Sequence, residues 1–208
     1  MRLEQCIITL TRNCNLRCDF CYAKRTGYMI DDTIKKENVK RIIDFCNDAK
    51  VKFVVFSGGE PMMYPELAEM IRYVKSCENK MTVAIATNGI ILSDYEFCKH
   101  LVECGLDYID ISLKGKNEEE CLAVVGQECF EKQLQAIRNV SSLKVDFTCS
   151  MVLTISNVDG FCQAIEAAYD NGARQFSFTF ALDNEDSEKK NLEYLKNNNP
   201  YDVIDRFL

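Results

Sequence analysis

The chain has 208 residues, of which 47% are apolar and 27% are charged, and this composition excludes the disordered, collagen-like and low-complexity classes. At roughly 150 residues per domain, the length predicts one globular core. The chain carries 25 Lys and Arg against 32 Asp and Glu, a net charge of −7. Because a field of that sign repels phosphate backbones and anionic bilayers, we expect neither nucleic acid nor a membrane as a partner.

The cysteine content indicates the compartment. The N-terminal segment has no apolar core of signal-peptide length, and no stretch of 18 apolar residues is present. The twelve cysteines are therefore expected to be reduced thiols, with any clustered subset a candidate for metal binding. These features predict a cytoplasmic protein.

Short runs rich in Val, Ile, Phe and Thr alternate with longer amphipathic segments, which is the pattern of repeated βα units and a parallel sheet. The nearly continuous apolar character of the runs predicts strands buried on both faces. Strands are predicted at 6–11, 51–57, 81–86, 108–113, 145–153 and 175–181. Helices are predicted at 32–49, 65–77, 93–104, 118–140 and 158–171.

The C-terminal part of the chain differs in composition from the rest. Residues 183–199 are mostly polar, and Pro200 follows three consecutive asparagines. We therefore expect a core domain over 1–182. Residues 183–208 are expected to form a polar tail, either a final helix or the lead into a C-terminal region absent from this sequence.

Three cysteines, Cys14, Cys18 and Cys21, follow the first predicted strand at x3 and x2 spacing. Three thiolates can hold three corners of a [4Fe-4S] cube and leave one iron open, since a complete thiolate set is four. Two alternatives are scattered reduced cysteines and a zinc site, although structural zinc normally takes four ligands in paired hooks.

A second motif, Ser57-Gly58-Gly59-Glu60-Pro61, follows the second predicted strand. Two glycines let the backbone approach a ligand closely, and a carboxylate can accept hydrogen bonds from an ammonium group. Taken alone, the same residues also fit an ordinary turn between a strand and a helix.

Together the two motifs resemble those of the radical S-adenosylmethionine (SAM) superfamily, Cys-x3-Cys-x-aromatic-Cys after the first barrel strand and Gly-Gly-Glu-Pro after the second. The resemblance implies that the three cysteines ligate a [4Fe-4S] cluster and that the amine and carboxylate of SAM chelate the open iron. It places Phe20 near the adenine. It also implies that the SAM amine binds the backbone of Gly58 and Gly59 and the backbone and side chain of Glu60. Pro61 completes the motif.

The ends of later strands carry further candidates by the same resemblance. Thr87 and Asn88 after the third strand are expected to line the SAM or substrate pocket, with a simple turn as the alternative. The segment Asp110-Ile111-Ser112-Leu113-Lys114 is similar to one in glycyl-radical activating enzymes, with Ser112 in place of an aspartate. Ser112 would then contact the ribose and Lys114 the carboxylate of SAM, and Ser150 would supply a polar contact.

The resemblance implies a partial (β/α)6 TIM-type barrel with parallel strands, open on one side because a full barrel normally has eight units. An external one-electron reductant of the flavodoxin or ferredoxin type would reduce the cluster. SAM would then be cleaved to methionine and a 5′-deoxyadenosyl radical that abstracts hydrogen from a substrate. The lateral opening favours a peptide or protein segment, as in activating-enzyme or peptide-modifying members. The alternatives are a small metabolite, a non-catalytic SAM and iron–sulfur module, and an electron-transfer protein.

Overall fold

A computed structural model describes residues 3–21, 32–181 and 190–198. Its centre is a six-stranded sheet with the strands in sequence order and every neighbouring pair parallel. This architecture confirms the prediction of a laterally open partial barrel, because β1 and β6 form the two edges of the sheet. The strands are β1 (Gln5–Thr9), β2 (Phe53–Ser57), β3 (Thr82–Thr87), β4 (Tyr108–Leu113), β5 (Asp146–Leu153) and β6 (Phe176–Phe180).

Each connection between strands contains at least one helix, as right-handed parallel crossovers require. The helices are α1 (Lys36–Asp48), α2 (Leu67–Ser76), α3 (Tyr95–Glu103), α4 (Glu118–Val125), α5 (Phe130–Ser142), α6 (Phe161–Asp170) and α7 (Lys190–Asn197). Short 3-10 helices cover Pro61–Met63, Ile91–Ser93 and Val158–Gly160. The first predicted helix was placed too early, because its segment forms a helix only from Lys36 onward.

The prediction of one helix over 118–140 is wrong. α4 ends at Gly126, which adopts a left-handed conformation with φ 73°, and α5 begins four residues later. The first turn of α5 is stabilised from α4, since the Glu118 carboxylate accepts hydrogen bonds from the backbone N–H groups of Phe130 and Glu131 at 2.8 and 3.0 Å.

The expectation that the strands are buried on both faces is also wrong. The outer face packs under the helices and forms the hydrophobic core, where Phe56, Ile85 and Ile111 are almost fully buried. The inner face alternates with it and stays partly exposed, and Ile7 on that face retains 63% of its surface. An open sheet of six strands does not bring enough side chains together to fill its interior.

In the C-terminal part of the chain, the structure describes one helix, α7. Residues 183–189 and 199–208 of the predicted tail lie outside the described residues. No helix in the ranges that the structure describes is long and apolar enough to cross a membrane.

Candidate functional site

The cysteine loop follows β1 at the carboxyl end of the sheet, where parallel barrels carry their active sites. Leu16 anchors it and is 1% exposed in a small apolar cluster with residues of α4. The backbone N–H groups of Arg17 and Asp19 donate to the carbonyls of Val125 and Val124, both at 3.1 Å. The last turn of α4 therefore holds the middle of the loop.

The three loop thiols are electrostatic neighbours of one another. Cys18 is influenced by both Cys14 and Cys21, and burial raises the pKa of the Cys18 thiol to about 11. The Cys14 Sγ accepts a hydrogen bond from the N–H of Leu16 at 3.4 Å. The described residues contain no group of three His, Cys, Asp or Glu side chains compact enough for a single metal ion.

Gly58 and Gly59 pack their backbone against the start of the cysteine loop. Gly59 N–H donates to the Thr11 carbonyl at 2.7 Å, and Glu60 N–H donates to the Asn13 carbonyl at 2.8 Å. A Cβ on Gly59 would lie 2.3 Å from the Asn13 carbonyl oxygen, and one on Gly58 would lie 2.4 Å from that of Thr11. Only glycine allows this approach, so the motif joins the end of β2 to the cysteine loop.

The Glu60 carboxylate is 1% exposed and binds groups within the chain. One oxygen accepts from the Thr87 hydroxyl at 2.7 Å and from the N–H of Met62 at 3.1 Å. The other accepts from the N–H of Asn88 at 2.9 Å. Burial raises the pKa of Glu60, while these three donors and Lys114 act in the opposite direction. The carboxylate thus connects the ends of β2 and β3. Pro61 is buried at the start of the 3-10 helix that follows Glu60.

Thr87 and Asn88 are buried where β3 ends, and both are used in packing the loops together. The Thr87 hydroxyl accepts from the N–H of Gly89 at 3.0 Å in addition to donating to Glu60. The Asn88 amide donates to the side chain of Asn15, in the cysteine loop, at 2.7 Å. Asn88 therefore links the end of β3 to the cysteine loop, and Thr87 links it to the glycine motif. Their contact with SAM stays a prediction.

Lys114 is a buried cation, 5% exposed, at the end of β4. Its ammonium donates to the Ser112 hydroxyl at 2.6 Å and stands 5.6 Å from the centre of the Phe20 ring. It lowers the pKa of both Cys14 and Cys18, against the larger effect of burial. Within the part of the chain that the structure describes, it forms no ion pair with a carboxylate. A buried ammonium that forms no direct ion pair among the described residues favours binding of an anionic group.

Ser150 stands next to Ser112 in the sheet, because the two residues are paired in the β4–β5 register. The structure thus brings the predicted residues Phe20, Ser112, Lys114 and Ser150 to one side of the cysteine loop. Phe20 also packs against the apolar cluster that surrounds Leu16.

Sequence reasoning missed Gln133, a fully buried residue of α5. Its amide group donates to the carbonyls of Asn88 and Ser112 at 2.7 and 2.8 Å, and its oxygen accepts from the N–H of Lys114 at 3.3 Å. Gln133 therefore fixes the ends of β3 and β4 relative to each other. A glutamine on the apolar face of an amphipathic helix was the one available signal.

The residues present fit an iron–sulfur cluster with SAM. The donor set is three soft thiols on one loop, which suits an iron–sulfur cluster. The neighbouring Lys114 supplies a positive charge for an anionic ligand, and the glycine motif presents close-packed backbone beside the same loop.

Comparisons with known proteins agree with this geometry. The model of the family described as "Radical SAM superfamily" matches residues 8–168. Among curated relatives, the Fe-coproporphyrin III synthase of Methanosarcina barkeri is 34% identical over 130 residues, covering 62% of this chain and 32% of that protein. The GTP 3′,8-cyclase of Aliarcobacter butzleri is 28% identical over 156 residues, covering 73% and 48%. The PqqA peptide cyclase of Granulibacter bethesdensis is 29% identical over 167 residues, covering 79% and 43%.

Solved structures share the fold at low identity. Streptococcus suis SuiB bound to the precursor peptide SuiA has a TM-score of 0.74 at 17% identity, covering 99% of this chain and 47% of that one. SuiB bound to S-adenosylmethionine has a TM-score of 0.74 at 19% identity, covering 99% and 48%. This chain thus spans half or less of the length of each of these proteins. The family model covers most of the chain, and the chain therefore belongs to the radical SAM superfamily.

Proposed function

We propose that this chain is the catalytic core of a radical SAM enzyme that abstracts hydrogen from a peptide or protein segment. The cofactors of the superfamily are those predicted from the motifs, a [4Fe-4S] cluster and SAM. The observation that carries the proposal is the buried Lys114, which forms no direct ion pair with a carboxylate among the described residues and lies beside a loop of three thiols. That arrangement offers cluster ligands and a counter-charge for the carboxylate of SAM at one place.

When bound and reduced by an external one-electron donor of the flavodoxin or ferredoxin type, the two cofactors supply a 5′-deoxyadenosyl radical. Cys14, Cys18 and Cys21 hold the cluster, and Lys114 binds the carboxylate of SAM. The backbone of Gly58 and Gly59 receives the amine.

Glu60 positions those glycines, because its oxygens already accept three hydrogen bonds from the chain. Ser112 contacts the ribose and Phe20 packs near the adenine. Thr87, Asn88 and Ser150 complete the pocket.

The preference for a peptide has two supports. The sheet is open between β1 and β6 in the described residues, which leaves lateral access for a large substrate. The PqqA peptide cyclase is a relative by sequence, and SuiB was solved with a precursor peptide in the same fold. Relatives named for GTP and coproporphyrin favour a small metabolite as the second candidate. A non-catalytic SAM and iron–sulfur module is the third.

The cluster assignment is tested by iron content after anaerobic reconstitution. We expect about four irons per chain in the wild type, and loss of iron when a loop cysteine is replaced by Ser, since each replacement removes one cluster corner. Matched controls are Ala at the buried Cys46 and Cys98, which lie in the hydrophobic core and should leave iron unchanged. A full cluster in the triple variant of the loop cysteines would contradict the assignment.

The SAM assignment is tested by calorimetry on the reconstituted protein. Lys114→Met should weaken SAM binding by roughly 1.5–3 kcal/mol, the usual contribution of a hydrogen bond to a charged group, while iron is retained. Lys80→Met, at an exposed position, is the matched control. Unchanged SAM affinity in the Lys114 variant would refute the pose. Formation of methionine by reductive cleavage of SAM then distinguishes an enzyme from a non-catalytic SAM and iron–sulfur module, which would bind SAM without cleaving it.

We propose a cytoplasmic location because all twelve cysteines are free thiols in the structure, as expected in a reducing compartment. The division into a core over 1–182 and a tail over 183–208 stays a prediction.

A further inference from the structure

The inner face of the sheet lines a half-open cavity of about 390 Å³, mainly along the amino-terminal halves of β1 to β4. Its wall is mostly apolar and includes Phe53, Val55, Ala84 and Ala86. Barrel interiors are normally filled by bulky branched side chains. Here two alanines on β3 leave the space, which is large enough for a long side chain.

One carboxylate, that of Asp110 on β4, lines this cavity. Asp110 is paired in register with Ala86, so the small alanine side chain leaves room directly beside the acid. Asp110 also lies two residues before Ser112 on the same strand and the same face, which places it below the residues proposed to bind SAM.

The hydrogen bonding of Asp110 is incomplete within the described residues. The Oδ1 atom of Asp110 is buried and has no hydrogen-bond partner among the described residues. Burial raises the pKa of Asp110, with Ser150 and Lys114 acting in the opposite direction. Native structures rarely leave a buried carboxylate oxygen unsatisfied unless a ligand completes it.

We propose that Asp110 binds a terminal ammonium or guanidinium group of the substrate, whose aliphatic chain occupies the cavity. The inference rests on the proposed function and specifies its substrate class. A cation supplies the hydrogen bond that the buried Oδ1 atom of this half-buried carboxylate lacks. The apolar wall suits the methylene groups of a lysine or arginine side chain, which pack against apolar surface while their charged ends reach a polar partner.

The test uses reconstituted protein with SAM and two pentapeptides, Gly-Gly-X-Gly-Gly with X either lysine or norleucine. Norleucine has nearly the same aliphatic chain without the charge. Wild-type protein should bind the lysine peptide about tenfold more tightly, a difference of about 1.4 kcal/mol. Asp110→Asn should abolish that preference. Asp146→Asn is the matched control, because Asp146 is an exposed residue on the adjacent strand and outside the cavity.

A second variant separates the contribution of the cavity volume to peptide binding from that of the Asp110 charge. Ala86→Leu fills the space beside Asp110 and should weaken both peptides to a similar degree, with the folded state checked by thermal unfolding. A further experiment with n-hexylamine distinguishes the source of the cation. If n-hexylamine binds in an Asp110-dependent way and the lysine peptide does not bind, the site takes a small amine.

Three results would overturn the inference: equal affinity for the two peptides in the wild type, a lysine preference that survives Asp110→Asn, and no binding of either amine. Reductive SAM cleavage is measured on the same preparations without peptide. If SAM is cleaved while the lysine preference is absent, only this inference fails. If SAM is not cleaved, the proposed function fails.

Discussion

Glu60→Gln tests whether the carboxylate of the glycine motif holds the loops together or serves mainly as a ligand for SAM. The substitution keeps the shape of the side chain and removes its charge. The wild-type carboxylate accepts three hydrogen bonds, from Thr87, Asn88 and Met62, at 2.7, 2.9 and 3.1 Å. Because Glu60 is 1% exposed, none of the three donors can turn to water instead without moving the loop.

The cost of the substitution follows from the geometry. If the amide oxygen of the introduced glutamine takes the position that faces Met62 and Thr87, those two bonds persist but lose the charge, at about 1 kcal/mol each. The amide N–H₂ then faces the N–H of Asn88, which leaves a buried donor unsatisfied at about 1–3 kcal/mol. The free energy of unfolding should therefore fall by about 3–5 kcal/mol.

Urea unfolding of the cluster-free protein under anaerobic, reducing conditions measures this change. With a slope of about 2–3 kcal/mol/M, the midpoint should fall by about 1–2.5 M. Glu78→Gln, at an exposed position just after α2, should change the free energy of unfolding by less than about 0.5 kcal/mol. An unchanged midpoint together with weaker SAM binding in Glu60→Gln would refute this reasoning. The carboxylate would then serve mainly as a ligand for the SAM amine.

Two further substitutions probe the same framework. Gly59→Ala should lower both the thermal stability and the iron content after reconstitution, because its Cβ would lie 2.3 Å from the Asn13 carbonyl oxygen. Gly126→Ala is the control, since its Cβ meets no atom within 4 Å. It should cost only backbone strain of about 1 kcal/mol and leave the iron content unchanged. Gln133→Leu should lower the free energy of unfolding by about 3 kcal/mol or more, since it leaves buried backbone groups at the ends of β3 and β4 without partners. The exposed Gln163→Leu should change stability little, and equal unfolding curves for the two glutamine variants would contradict the role of Gln133.

The sequence predicted six strands in a parallel sheet because apolar β-branched runs alternate with helical segments, whereas their barrel arrangement followed from the resemblance of the two motifs. It placed both motifs at strand ends for the same reason. The break at Gly126 was missed because the amphipathic pattern continues on both sides of it, and a lone glycine is tolerated in a helix. The exposed inner face was missed because an apolar run does not indicate whether the six strands close into a barrel with a filled interior.

The buried hydrogen bonds of the site were beyond prediction for a different reason. Gln133 acts on backbone carbonyls that come together only in the tertiary structure, and nothing in the local sequence names those partners. Glu60 was assigned to the cofactor on the strength of its motif, whereas its donors come from the loop after β3 and from its own 3-10 helix. Both cases concern contacts between segments far apart in the sequence.

The break between α4 and α5 gives these two helices separate roles in one framework. The last turn of α4 holds the cysteine loop, through the carbonyls of Val124 and Val125. From α5, Gln133 holds the ends of β3 and β4, and Asn139 donates to two carbonyls of the 3-10 helix after β3, at 2.9 and 3.0 Å. In one continuous helix over 118–140, the carbonyls of Val124 and Val125 would accept from helix N–H groups four residues later and could not hold the cysteine loop. The Glu118 carboxylate of α4 binds the first turn of α5 and so stabilises the turn at Gly126. Through this turn, the two helices connect the proposed cluster loop to the strand ends proposed to bind SAM.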